Sequence, residues 1–352
     1  MTSRVGRLRA ELEALPAAAF LVTTPVNVHY LTGLISSNAA LLVTAEELLL
    51  FTDGRYVEAA GRLEGLTVVP VERSLSLELG SRLHQLTPGP VAFESSRMTV
   101  ADHGRVARSG VVLTSVERAV ERLREVKEPD ELTAIRRSAA LLTTAFERLT
   151  QEQVVGRTEV ELARWLARTL TDELGAQGLA FEPIVASGPN TALPHHHAGD
   201  RVIAADELLL VDAGCVVDGY SSDCTRTFAT GTLDDELRQM YDACQRVQAA
   251  SVQRVRAGVL GCDLDREHRE VLSDAGYEAL HSLGHGVGLE VHEGPRLAKT
   301  VEDALRIGCV VTVEPGIYAS GKGGVRIEDL VAVTADGAEI LTLLPRNLAV
   351  LE

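Results

Sequence analysis

Four carboxylates in the C-terminal half stand where apolar strands would have to bury them. Asp212 closes the run ELLLVDAG, Glu314 closes CVVTVEPG, Glu328 lies inside VRIEDLVAV, and Asp223 follows Asp212 after CVVDGYSS. Side chains alternate faces along a strand, so an acid among buried Val and Leu either meets water or enters the interior. Burying it is costly unless an opposite charge compensates. Taken singly, each acid has an ordinary reading: Asp212 as a turn residue, Glu328 as the solvent side of an alternating strand. Two acidic strands bounded by Gly or Pro favour a shared, compensated interior instead, and a hairpin across residues 212–223 would bring the two Asp together.

His285 lies in LGHGVGLEVHEGP, where closely spaced glycines let the backbone pack tightly around an imidazole. Alone this is a weak signal. Combined, Asp212, Asp223, His285, Glu314 and Glu328 form an oxygen-rich set suited to Mn²⁺, Co²⁺, Zn²⁺ or Fe²⁺ rather than to a thiolate zinc site. The four negative charges balance two divalent cations, which explains why so many acids could share one interior.

Composition narrows the partners. The chain has 352 residues, 45% hydrophobic and 24% charged, as expected of a soluble protein of about two domains. A net charge of -16 offers no basic footprint for nucleic acid or an anionic membrane, so small neutral or peptide substrates fit better. Five cysteines without a CxxC pair, an odd number, exclude a complete disulfide framework and point to thiols in a reducing cytoplasm. Arg4, Arg7 and Arg9 before an apolar stretch resemble a signal peptide, but Glu11, Glu13 and Pro16 interrupt it. No 18-residue apolar run predicts a membrane span.

Residues 1–124 alternate short apolar runs (17–23, 39–43, 47–51, 66–71, 91–93, 111–113) with helical stretches, which predicts a partly parallel sheet covered by helices. Asp53-Gly54 marks a turn. This half carries no ligand or nucleophile constellation and reads as a scaffold or lid. The boundary falls in RLREVKEPDEL, where Pro129 suits a first helical position. Beyond it, an apolar stripe from Leu132 to Leu149 and a Thr158/Glu161 capping box predict helices, followed by others over 234–256 and 263–275. Strand-like runs at 181–187, 207–212, 225–229, 310–313, 325–333 and 340–344 predict an α+β domain over 125–352, with an antiparallel sheet under helices.

The segments TALPHHH, LLLVDAGCVVDGYSSDCTRTF, LGHGVGLEVHEGPR, VTVEPGIY and GGVRIEDLV resemble, in order, the signature blocks of the pita-bread metallopeptidases. NVHYLTG and LLLFTDGRY resemble the creatinase-type N-terminal domain of the Xaa-Pro peptidase branch. The resemblance covers nearly the whole chain. It implies a creatinase-type domain over 1–124, serving as lid, specificity or dimerisation element, and a pita-bread domain over 125–352.

Carried over by position, it makes Asp212 and Asp223 ligands of one metal, with Asp223 bridging to a second. His285 and Glu314 complete the second, and Glu328 bridges both. His195 and His292 match substrate-binding histidines, and Arg326 matches a basic residue at the edge of the site. Glu314 would shuttle a proton to the leaving nitrogen, and the two histidines would hold the developing oxyanion. Phe181 and Ile184 are candidates for the wall that receives a proline ring; the alternative is plain core packing. His281 and Thr225 are candidates for orienting ligands. His196 and His197, where the family commonly has Gly and a small residue, read as a surface tract.

The resemblance ranks Xaa-Pro dipeptidase (prolidase) first and an Xaa-Pro aminopeptidase acting on longer peptides second. It also implies a homodimer. Arg296 in HEGPR resembles the group that holds a dipeptide carboxylate, and Arg55 is a further candidate whose alternative is an ordinary salt bridge. A silent binding module is a different class of reading; retention of all five ligand positions and the absence of a charged tail count against it.

Overall fold

The structure is a computed structural model that describes residues 2–72, 74–108 and 110–352. It divides into two compact units, Met1–Arg124 and Glu125–Glu352.

In the first unit, the strand Ala19–Val22 is buried at every position, as a strand covered on both faces must be. It pairs antiparallel with Ala39–Thr44 and parallel with Val91–Glu94. The sheet continues outward through Leu48–Asp53 to Thr67–Val71 on one side and to Leu113–Val116 on the other. Ala19, Leu21, Ala40, Leu42, Leu49 and Phe51 line one face, where Leu79 and Leu83 of the helix Leu75–Leu86 pack. The last strand lies two residues later than the apolar run 111–113 suggested, because pairing with Val91–Glu94 sets its register.

The NVHYLTG segment has a physical meaning here. The helix Pro25–Thr32 starts with proline at its N-terminus and ends on Gly33 at φ 81°, a left-handed position. Asn27, wholly buried, donates to Glu94 Oε1 at 2.6 Å and Glu121 Oε1 at 3.0 Å, and its oxygen accepts from Arg124 Nη1 at 2.8 Å. Buried polar groups of this kind are tolerated when each is bonded.

In the second unit, Pro129 opens the helix Pro129–Leu149, and Glu128 with Glu131 forms a capping box ahead of it. The Thr158/Glu161 box opens Glu159–Arg168. These helices cover a three-stranded antiparallel sheet ordered Cys224–Ala229, Leu208–Ala213, Ile184–Ser187, with Leu209, Val211 and Ala213 turned toward them. A five-stranded antiparallel sheet runs Glu293–Leu297, Gly284–Gly286, Val310–Val313, Asp329–Val333, Ala338–Ile340. Its Val311, Val313, Val331 and Val333 face Val255 and Leu264, next to and within the helices Asp235–Arg254 and Gly261–Asp274.

The sheets meet where Glu328 N donates to Thr225 O at 3.1 Å. The predicted strand 325–333 is in fact two strands. Gly323–Arg326 pairs with Gly316–Ala319, Asp329–Val333 pairs with Val310–Val313, and Ile327 and Glu328 form the break between them. Glu328 is therefore freed from strand alternation and can turn into the gap between sheets. The strand predicted at 340–344 lies earlier, at Ala338–Ile340, and shares only Ile340 with the apolar run.

Candidate active site

Asp212 sits directly across from Thr225 in the antiparallel pair Leu208–Ala213/Cys224–Ala229. The even-numbered side of that strand faces away from the helices, so Asp212 points into the gap. Asp223 enters immediately before the partner strand. His285 stands in the middle of the three-residue strand Gly284–Gly286. A methyl group at Gly284 would run into the Thr312 carbonyl, and one at Gly286 into that of Gly294. The glycines are there because two neighbouring backbones press on either side of the imidazole.

His285 N–H donates to Thr312 Oγ1 at 3.1 Å, and its Nδ1 lies 3.1 Å from Gly286 O. With Nδ1–H donated to that carbonyl, the Nε2 lone pair faces Glu314 Oε1 at 3.4 Å and Asp223 Oδ2 at 3.6 Å. Burial, then His292, lowers the His285 pKa to about 3, so the ring is neutral at physiological pH. Ligand atoms of Asp223, His285 and Glu328 all lie within 4.8 Å of one another, and all three residues are buried.

The acids show what such a cluster lacks. Burial first, then the charges of Glu328 and Asp212, push the Asp223 carboxyl well up. Burial and Glu314 do the same to Glu328, whose Oε2 accepts from Thr225 Oγ1 at 2.7 Å. Glu314 is raised to about 7, chiefly by burial. Asp212 Oδ2 accepts from Arg326 Nη2 at 2.8 Å, whereas its buried Oδ1 has no partner. Four crowded carboxylates, one with an orphaned oxygen, are short of positive charge. Hard divalent cations supply it, so the donor set fits such ions.

Arg326 departs from the edge position expected of it: it is buried at 4% exposure. Burial opposes its charge, but Tyr318, Asp212, Glu314 and Glu328 hold it protonated above its usual range. Its Nη1 donates to Tyr318 Oη at 3.0 Å, and the hydroxyl lies 2.9 Å from His281 Nε2. His281 is lowered to about 4, mainly by burial, and accepts from the phenol while its Nδ1 bonds Ser282 O. Asp212 is thus oriented by a three-residue chain ending at His281. No sequence signal marks Tyr318, because nothing in the spacing of EPGIY links it to residues 212 or 281.

A cavity of about 500 Å³ opens over the cluster. Asp212, Asp223, His285, Glu314 and Glu328 line it, together with His195, His292, Arg296, Arg326, Phe181 and Ile184. Ile184 is paired opposite Asp212 and so shares its face, while the next residue, Val185, joins the helix-covered core. The His292 ring stands edge-on to His285, with centroids 4.3 Å apart. Arg55 lies in the first unit, where Asp53 holds it by two bonds of 3.0 and 2.8 Å.

The surface reading of the histidine tract holds for His197, which is exposed, but not for His196. His196 Nε2 lies 2.8 Å from the wholly buried carboxylate of Glu159, and both His196 and His197 line the cavity. Glu159 carries no signal in the sequence, since it looks like one more acid in a helical first turn.

The sequence profile of metallopeptidase family M24 matches residues 133–335, and that of the creatinase/prolidase N-terminal domain matches 4–126. The chain belongs to metallopeptidase family M24. Among M24 relatives, an uncharacterized peptidase of Bacillus subtilis is 32% identical over 353 residues, 99% of this chain and 100% of that one. An Xaa-Pro dipeptidase from Bacillus anthracis superposes with a TM-score of 0.95 at 32% identity, over 99% of each chain. An X-Pro aminopeptidase from Thermotoga maritima superposes at 0.87 with 33% identity, over 97% of this chain and 99% of that one. The architecture is therefore a creatinase-type domain followed by a pita-bread metallopeptidase domain, and family membership implies divalent metal ions at the acidic cluster.

Proposed function

We propose that this M24 peptidase hydrolyses the Xaa-Pro bond of dipeptides, using two divalent ions per subunit, Mn²⁺ first among the candidates. Asp212 and Asp223 would hold one ion, Asp223, His285 and Glu314 the other, with Glu328 shared. Bound ions supply Lewis acidity and bring the pKa of water into the neutral range. The protein's own groups do the rest. His195 and His292, on the cavity wall, donate to the scissile carbonyl as charge builds on its oxygen. Glu314 takes a proton from the attacking water and returns it to the imino nitrogen that leaves. Phe181 and Ile184 face the proline ring.

The observation that carries the dipeptide reading is Arg296, an exposed guanidinium on the wall of the same cavity. A dipeptide places a free carboxylate one residue beyond the cleaved bond, and the planar fork of Arg binds it through paired charge-assisted bonds. The similarity to the Bacillus anthracis Xaa-Pro dipeptidase supports the same substrate class. Arg55 is already engaged by Asp53, which leaves Arg296 as the stronger anchor.

The test compares Xaa-Pro dipeptides with Xaa-Pro-Yaa tripeptides. Arg296→Ala is expected to lower dipeptide kcat/KM by roughly 10- to 150-fold, the scale of one hydrogen bond to a charged group, and to spare tripeptides. A wild-type preference for tripeptides would favour the aminopeptidase reading, to which the Thermotoga maritima similarity points.

A further inference from the structure

Glu159 lies at the start of the helix Glu159–Arg168, and its side chain is wholly buried. Oε1 accepts from Ser187 N at 2.8 Å, Ser187 Oγ at 2.7 Å and Asn190 Nδ2 at 2.9 Å. Oε2 accepts from Gly199 N at 3.3 Å and pairs with His196 Nε2 at 2.8 Å. One carboxylate thus gathers four points of a 13-residue stretch, 187–199. Burial disfavours its charge, yet these bonds hold the carboxyl below its ordinary range.

That stretch carries His195, which reaches the cavity and is exposed there. The chain on one side of His195 is pinned by Arg326 Nη1 donating to Pro194 O at 3.2 Å. On the other side the His196 N–H donates to Leu193 O at 3.1 Å, closing a turn around His195, and the His196 ring ties that turn to Glu159 in the helix Glu159–Arg168. Without the ring contact that turn would stay closed but lose its anchor to the helix until Gly199, letting His195 shift with it, and a displacement of about 1 Å is enough to cost on the order of 10²-fold in rate.

We propose that His196 and Glu159 are positioning residues: together they clamp the loop so that His195 meets the substrate carbonyl. This rests on the substrate-contacting role given to His195 above. The ordinary alternative is a purely structural pair that stabilises the fold without acting through His195, and a double-mutant cycle separates the two.

The experiment uses full-length, metal-loaded enzyme with an Xaa-Pro dipeptide, comparing His195→Ala, His196→Ala, His196→Gln and the double alanine variant. His196→Ala should lower kcat about 10-fold or more with bound metal unchanged. His196→Gln, whose amide can place a donor near the lost Nε2, should recover most of the activity. Adding His196→Ala to His195→Ala should cost less than about 2-fold more. Equal losses from His196→Ala in both backgrounds would overturn the clamp and leave the role of His195 intact. No loss from His195→Ala would overturn that role and the clamp with it. Should the alanine variants fail to fold, His196→Gln against His196→Asn decides: Asn cannot reach Glu159, so equal kcat in the two would refute the proposal.

Discussion

Asp212, Asp223, Glu314 and Glu328 share an interior with Arg326, and their ionisation has to be linked to cation binding. Glu314 carries the measurable part, since its carboxyl is raised from 4.5 to about 7, chiefly by burial. In metal-free protein the folded state therefore holds this proton more tightly than the unfolded chain does. The resulting stability is full below pH 4.5 and is lost as pH rises through about 7. Relative to Glu314→Gln, metal-free wild type should lose on the order of 2–3 kcal/mol between pH 4.5 and 7.5, at 1.36 kcal/mol per unit, read by urea unfolding of both proteins. A difference that stays flat with pH would show that Glu314 is not the strained acid. Metal binding must expel the same proton, so titrations near pH 6 in buffers of different ionisation enthalpy should show proton release that Glu314→Gln reduces.

At the level of elements, the site depends on how closely short strands approach. Gly284–Gly286 is squeezed between the backbones of Thr312 and Gly294. Gly284→Ala or Gly286→Ala is expected to cost about 1–3 kcal/mol by overpacking and to weaken metal binding, because His285 would move with the strand. Calorimetry with metal titration checks this; unaltered metal affinity in a destabilised variant would detach the glycines from the site. The break that frees Glu328 is braced from behind. Arg226, 4% exposed in its side chain, pairs with the wholly buried Asp329 at 2.7 Å, donates to the Glu328 carbonyl, and shares Asp329 with Gln248 of the helix Asp235–Arg254. Removing one partner of a buried pair strands the other charge, so Asp329→Ala should cost about 3–5 kcal/mol. A denaturant midpoint close to wild type would show that Arg226 finds another acceptor.

For the whole molecule, cations that bind only the native state raise stability by mass action, by about 2.7 kcal/mol at a hundredfold excess over Kd. Chelation should therefore lower Tm and abolish peptidase activity, and Mn²⁺ should restore both with a stoichiometry near two per subunit; full activity in metal-free protein would end the two-ion reading. Among the described residues no helix is long and apolar enough to cross a membrane.

Much of the fold was legible in the chain because its signals are local. The Thr158/Glu161 box, Pro129 at a helix start and the apolar run that becomes Ala39–Thr44 each depend on neighbours a few residues apart. Asp212, Asp223, Glu314 and Glu328 stood out as acids among aliphatic runs, but each kept an ordinary reading until the resemblance to the family's signature blocks joined them with His285, and the fold brings all five to one cavity. Tertiary structure decided the rest. The pairing of Asp212 with Arg326 spans 114 positions, that of Glu159 with His196 spans 37, and the turn of Glu328 out of its strand follows from two sheets competing for one segment. Composition and periodicity determine which side chains must be buried. Which buried charge touches which depends on the approach of distant backbones, and that exists only once the chain has folded.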